Sequence, residues 1–180
     1  MSDVKYIFSN LLWPAAAGNV IWSFFQVIIA DPSVKFSNGL SLDTRAVAIC
    51  LTAIGIYTSI GCIRHNKKPD TDFTIPRSLF HLIHILLIIA IAVSLIAKPA
   101  IVGWLLVAFF GYSILDHILS EQDMRKIAVN GLGIIIVALS CCIECFIKEW
   151  VYAASLCITL VLWCCAHRTT FLQKMVKTKA

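Results

Sequence analysis

The chain has 180 residues, 59% of them apolar and only 14% charged, against roughly 45–50% and 25% in an ordinary soluble domain. With a mean hydropathy of +0.86 and a length that allows one domain, this excludes a soluble monomer and a disordered polymer; the apolar surplus must face lipid. The formal net charge of +5 favours anionic surfaces.

Residues 11–30 (LLWPAAAGNVIWSFFQVIIA) form the first apolar run, closed by Asp31-Pro32, because proline lacks an amide and restricts the residue before it. A polar stretch with the turn pair Asn38-Gly39 follows, and Asp43 is the expected N-cap of a second run, residues 46–63. Residues 64–77 (RHNKKPDTDFTIPR) are aqueous, and Thr74 with Pro76 marks the next helix start. The 38 residues from Ser78 to Leu115 are almost wholly apolar. As one helix they would span about 57 Å, nearly twice a hydrocarbon core of about 30 Å. They must fold back, and Lys98-Pro99 is where a charge meets a helix breaker, so residues 78–97 and 100–115 form a hairpin. The same arithmetic splits the last apolar run at Lys148-Glu149-Trp150 into residues 127–147 and 151–166. Ser120-x-x-Asp123 before them has the pattern of a capping box. The expected fold is an all-α, polytopic integral membrane helix bundle, a single transmembrane domain over residues 1–180 with six transmembrane helices as three hairpins. Four spans is the alternative, since residues 100–115 and 151–166 are each only about 24 Å long.

Lysine and arginine divide unevenly over this layout. Lys5, Arg64, Lys67, Lys68, Arg77, Arg125, Lys126, Arg168, Lys174, Lys177 and Lys179, eleven of the 15, lie on the side of the N-terminus; Lys35, Arg45, Lys98 and Lys148 lie opposite. The positive-inside rule then places both termini in the cytoplasm. Tyr6, Trp13, Tyr112 and Trp163 are expected at the inner interface, and Trp150 with Tyr152 at the outer one. No aqueous segment approaches the roughly 40 residues below which a domain needs metals, disulfides or partners. Function must therefore sit within the bundle or on its cytoplasmic face.

Several constellations carry chemistry within that frame. His81 and His84 share a helical face at i, i+3, and Asp116-His117 closes the partner helix, so the four could converge on a metal or haem; alternatively, interfacial imidazoles bind headgroups and helix ends. Diiron membrane oxygenases resemble this placement but need HxxxH-type boxes, which this sequence lacks. Cys142-x-x-Cys145 with Cys157 has dithiol spacing, although cysteine also packs well between helices. Glu144 is the only acidic group within a span, with Lys148 at i+4 to neutralise it. Asn19, Ser23 and Gln26 on the first helix, and Asn130 near Gly131 and Gly133 on the fifth, suit either helix contacts or a substrate path. Gly55 with Ser59, and Gly103 with Gly111, permit close helix approach within one chain or between copies, and hence a homo-oligomer. Gly111-Tyr112-Ser113 resembles the GxSG of rhomboid intramembrane proteases, but Ile114 replaces the final glycine and His167 falls beyond the sixth helix.

The remaining candidate is the inner face itself. Arg64, Lys67, Lys68, Arg77, Arg125, Lys126, Arg168, Lys174 and Lys177 are expected to dock a cytosolic protein partner or anionic lipids. The basic tail, residues 167–180, adds Phe171, Leu172, Met175 and Val176 in an order suited to an interfacial helix. In size, helical content and basic inner loops the whole chain resembles the membrane subunits of Kiwa-type bacterial anti-phage defence systems, which pair a membrane sensor with a soluble effector. The resemblance implies a non-enzymatic anchor or sensor subunit in a bacterial inner membrane, serving antiviral defence; it carries over no functional residue. No cofactor and no direct nucleic-acid binding are expected. A small oligomeric transporter or channel, and a membrane-bound metal- or haem-dependent enzyme, are the alternatives.

Overall fold

The structure, a computed structural model, describes residues 3–35, 41–67, 74–97, 101–121, 124–142 and 148–177; the side chains at 35, 64, 65, 67, 75, 76, 120, 121, 140–142, 148 and 166–177 lie outside the description. Among the described residues every element is a helix. They are α1 (Asp3–Ala30), α2 (Leu42–Lys67), α3 (Ile75–Ala97), α4 (Val102–Asp116), α5 (Met124–Cys142) and α6 (Lys148–Lys177), with a single turn at Pro32–Lys35. Four stretches, Asp3–Ala30, Leu42–Ile63, Arg77–Ala97 and Val102–Leu119, are long and apolar enough to cross a membrane, and Glu149–Cys165 is a shorter apolar stretch.

Helix ends differ from the sequence expectation for local reasons. Helix α1 begins eight residues before Leu11 and runs through Pro14. Pro14 has no amide to give to the turn behind it. The chain answers with a wide π-helical stretch, Ile7–Leu12, in which the Trp13 amide donates to the Phe8 carbonyl five residues back. Helix α2 is capped by Ser41, not Asp43: the Ser41 Oγ accepts the Thr44 amide at 3.2 Å, and Asp43 sits in the first turn, where its charge favours the helix dipole. Thr74 does open α3, its carbonyl accepting the Ser78 amide at 2.8 Å. Lys148-Glu149-Trp150 is the first turn of α6, not the reversal. Lys98-Pro99, Ser120-x-x-Asp123 and Glu144 fall outside the described residues or side chains. Helix α6 has no glycine or proline to stop it, so it continues to Lys177, and the basic tail is its last turns instead of a separate interfacial helix.

Asp31 ties off the turn between α1 and α2. Its Oδ1 accepts the Ser33 amide at 2.8 Å and the Ser33 hydroxyl, and its Oδ2 accepts the Ser41 amide at 3.0 Å. The hydroxyls of Ser33 and then Thr44 hold this carboxyl well below the usual carboxylate range, burial opposes them, and the amides of Ser41 and Ser33 add to the effect.

Neighbours in space follow from the contacts. Helix α1 packs on both α2 and α3, which touch each other little, so it fills the seam between them; α2, α6, α5, α4 and α3 then follow one another around a centre. Trp13 against Gly61, Phe110 against Gly133 and Phe80 against Tyr112 make α1–α2, α4–α5 and α3–α4 antiparallel. Cys50 beside the Glu149 carbonyl and Tyr57 beside Trp163 make α2 and α6 parallel. Direction therefore alternates along the chain. The start of α1, the ends of α2, α4 and α6 and the starts of α3 and α5 share one end, here the basic end.

Candidate functional site

Five helices converge on a small central cavity in the half of the bundle nearer the basic end. Its volume is about 40 Å³, and Tyr57 of α2, Ile88 of α3, Phe109, Ser113 and His117 of and after α4, Asn130 of α5, and Thr159 and Trp163 of α6 are in its wall. His117 opens a second π-helical stretch, His117–Glu121, where its amide is shared between the carbonyls of Ser113 and Ile114. Such widened turns present side chains that a regular α-helix would rotate away.

Beside the cavity, and sharing Tyr57 and Phe109 with it, is a box of rings around His84. The Tyr57 hydroxyl and His84 Nε2 are 2.9 Å apart, with the rings stacked at 13° and centroids 5.6 Å apart. Phe109 meets His84 edge-on at 4.8 Å; Tyr112 lies 6.2 Å away and Trp13 6.3 Å. Trp163 in turn contacts Tyr57 at 5.7 Å. Offset and edge-on arrangements of this kind place the positive edge of one ring on the negative face of the next. At this burial the hydrogen bond between Tyr57 and His84 helps fix the rotation of both rings.

Among the described residues no three His, Cys, Asp or Glu side chains are close enough to hold a metal ion, so His81, His84, Asp116 and His117 do not converge into a ligand set. The i, i+3 face of α3 does carry both histidines inward, but what meets them there is aromatic: His84 has Tyr57, and His81 meets Phe8 of α1 edge-on at 6.2 Å.

The other expected residues separate. Ser23 is buried and Asn19 half-buried, while Gln26 is exposed; all three are on α1, which does not line the cavity, so they do not share a path with Asn130. The Ser113 hydroxyl donates to the Phe109 carbonyl of its own helix at 3.0 Å, and the side chain of His167 is outside the description, so no nucleophile–base pair forms among the described residues. Cys157 is described with a free thiol, whereas Cys145 and the Cys142 side chain are not described. Of the docking set, Arg125 is exposed and Arg77 half-buried, but Lys126 is only 5% exposed and cannot belong to an open surface. Lys68 and the side chains of Arg64, Lys67, Arg168, Lys174 and Lys177 lie outside the description. The aromatic belt is also corrected: Trp13, Trp163 and Tyr152 are buried in the core, and the tryptophans that do face outward are Trp22 and Trp104, at 63% and 67% exposure.

Sequence reading missed Tyr57, Phe109 and Thr159, and placed Trp163 at the inner interface instead of in the cavity wall. One signal was available, because Tyr152, Ser155, Thr159 and Trp163 recur at helical spacing and form a polar-aromatic face on residues 152–163, which otherwise hold only Ala, Leu, Ile, Val and Cys157. No known protein family, curated protein or solved structure matches the chain.

Proposed function

We propose that the chain is a six-span, non-enzymatic integral membrane subunit that presents its basic end to the cytoplasm and docks a cytosolic partner there, as the Kiwa-type membrane subunits do. The observation that carries the reading is that all six helices, not only the four long ones, turn large apolar side chains outward. On α5 these are Leu132, Ile135 and Leu139, and on α6 Ile158, Val161 and Leu162, beside Ile21, Phe25 and Ile29 of α1. Water would penalise such a girdle heavily, whereas lipid accepts it. Alternation of helix direction also supports the charge argument: it gathers Arg64, Lys67, Arg77, Arg125, Arg168, Lys174 and Lys177 at one end.

Periplasmic and cytoplasmic reporters fused at Gly39, at Asp70 and after Ala180 test the topology. A cytoplasmic signal at Asp70 and the C-terminus with an external one at Gly39 is expected; the reverse signals, or opposite sides for Asp70 and the C-terminus, would refute it. A soluble protein co-purified in mild detergent from the wild type and lost from Arg64→Glu/Arg168→Glu is the expected docking result. Retention through that charge reversal would refute docking on this face. A transporter or channel is the second reading, favoured by the polar cavity wall at Asn130. It requires Asn130→Cys to react with an impermeant thiol reagent in a cysteine-free background.

A further inference from the structure

The polar wall of the central cavity is not self-satisfied. Asn130 is 5% exposed and Thr159 8%, and both line it. Asn130 gives its amide Nδ2 to the Lys126 carbonyl of its own helix at 2.8 Å. Its Oδ1, and the hydroxyl of Thr159 across the cavity on α6, make no hydrogen bond to any described residue. The Ser113 oxygen, having donated its proton to Phe109, keeps its lone pairs for another donor. Apolar cavities stay empty, but polar ones take water wherever two to four partners surround the space. The volume of about 40 Å³ admits about three waters at roughly 10–15 Å³ each.

We propose that this cavity is an internal water site: a hydrogen-bonded cluster of about three waters, held by Asn130, Thr159 and Ser113, that joins the Tyr57–His84 pair to the basic end. Asn130 near the start of α5 and His117 just after α4 are the lining residues nearer the basic end, and Tyr57, which bonds His84, is also in the wall. The cluster satisfies polar groups that would otherwise be orphaned at membrane depth. It also gives the buried His84 imidazole a route for proton exchange toward the basic end. This holds whether or not the basic end docks a partner.

Water-edited NMR on the full chain in lipid nanodiscs tests it. Transfer of magnetisation from water should reach the Asn130 side-chain amide and Thr159, while the core residues Val20 and Ile85, buried outside the cavity, receive none. Asn130 and Thr159 as dry as Val20 would overturn the proposal. In an Asn130→Leu/Thr159→Val variant the water signal at Ser113 should be lost and the His84 ring N–H should exchange more slowly; an unchanged signal at Ser113 would also overturn it. Should that variant fail to fold, the wild-type comparison decides alone.

Discussion

Replacing Tyr57 by phenylalanine removes one oxygen and leaves the ring that stacks on His84 at 5.6 Å and meets Phe109 at 5.5 Å. The 2.9 Å bond to His84 Nε2 disappears, and that nitrogen, on a buried side chain, is left without it. An interhelical hydrogen bond within a membrane protein contributes on average about 0.6 kcal/mol, but an orphaned buried polar atom costs about 1–3 kcal/mol. Tyr57→Phe should therefore destabilise the bundle by about 1–2 kcal/mol, a factor of about 5–30 in the folded-to-unfolded ratio. His84→Phe should cost a similar amount, because it removes the same 2.9 Å bond from the other side. The double variant removes both polar partners and keeps both rings, so it should recover most of the loss. The assay is reversible unfolding of detergent-solubilised protein by titrated dodecyl sulfate, followed by tryptophan fluorescence, for the wild type, both single variants and the double. Simple addition of the two single losses would refute the reasoning, and so would a neutral Tyr57→Phe.

Three further tests use the same assay. A Cβ added at Gly61 would lie 2.7 Å from the Trp13 ring, so Gly61→Ala should cost about 1–3 kcal/mol by overpacking, whereas Gly18→Ala, with nothing within 4 Å, should be neutral or slightly stabilising. Gly133→Ala faces Phe110 at 3.0 Å while Gly131 has open space; the first should lower the unfolding midpoint and the second should not. Because the folded state depresses the Asp31 carboxyl, its contribution is full above the unfolded value of about 3.9 and is lost as pH falls through the folded one. The wild type should thus lose stability between neutral pH and pH about 2 relative to Asp31→Asn, which is weaker at neutral pH and lacks that component; parallel pH profiles would count against it.

The all-helical fold of the described residues, and several of the breaks between helices, were legible in the chain because each rests on a local quantity. Apolar length against bilayer thickness divided residues 78–115, and breakers and aqueous runs at Asp31-Pro32 and residues 64–77 marked the ends. Which face of each helix points inward was not legible. In water an amphipathic stripe announces the core, but a helix in lipid is apolar on both its protein and its lipid face, so periodicity loses its contrast. Trp13 and Trp163 read as interface anchors and are core residues; Lys126 read as a surface charge and is buried; His81 and His84 read either as candidate ligands or as interfacial imidazoles and are held among rings. Gly61 carried no motif, and only the approach of Trp13 gives it a reason to be glycine. Those assignments depend on α1 filling the seam between α2 and α3 and on α6 closing against α2, contacts between segments far apart in the chain, where packing shape decides what composition cannot.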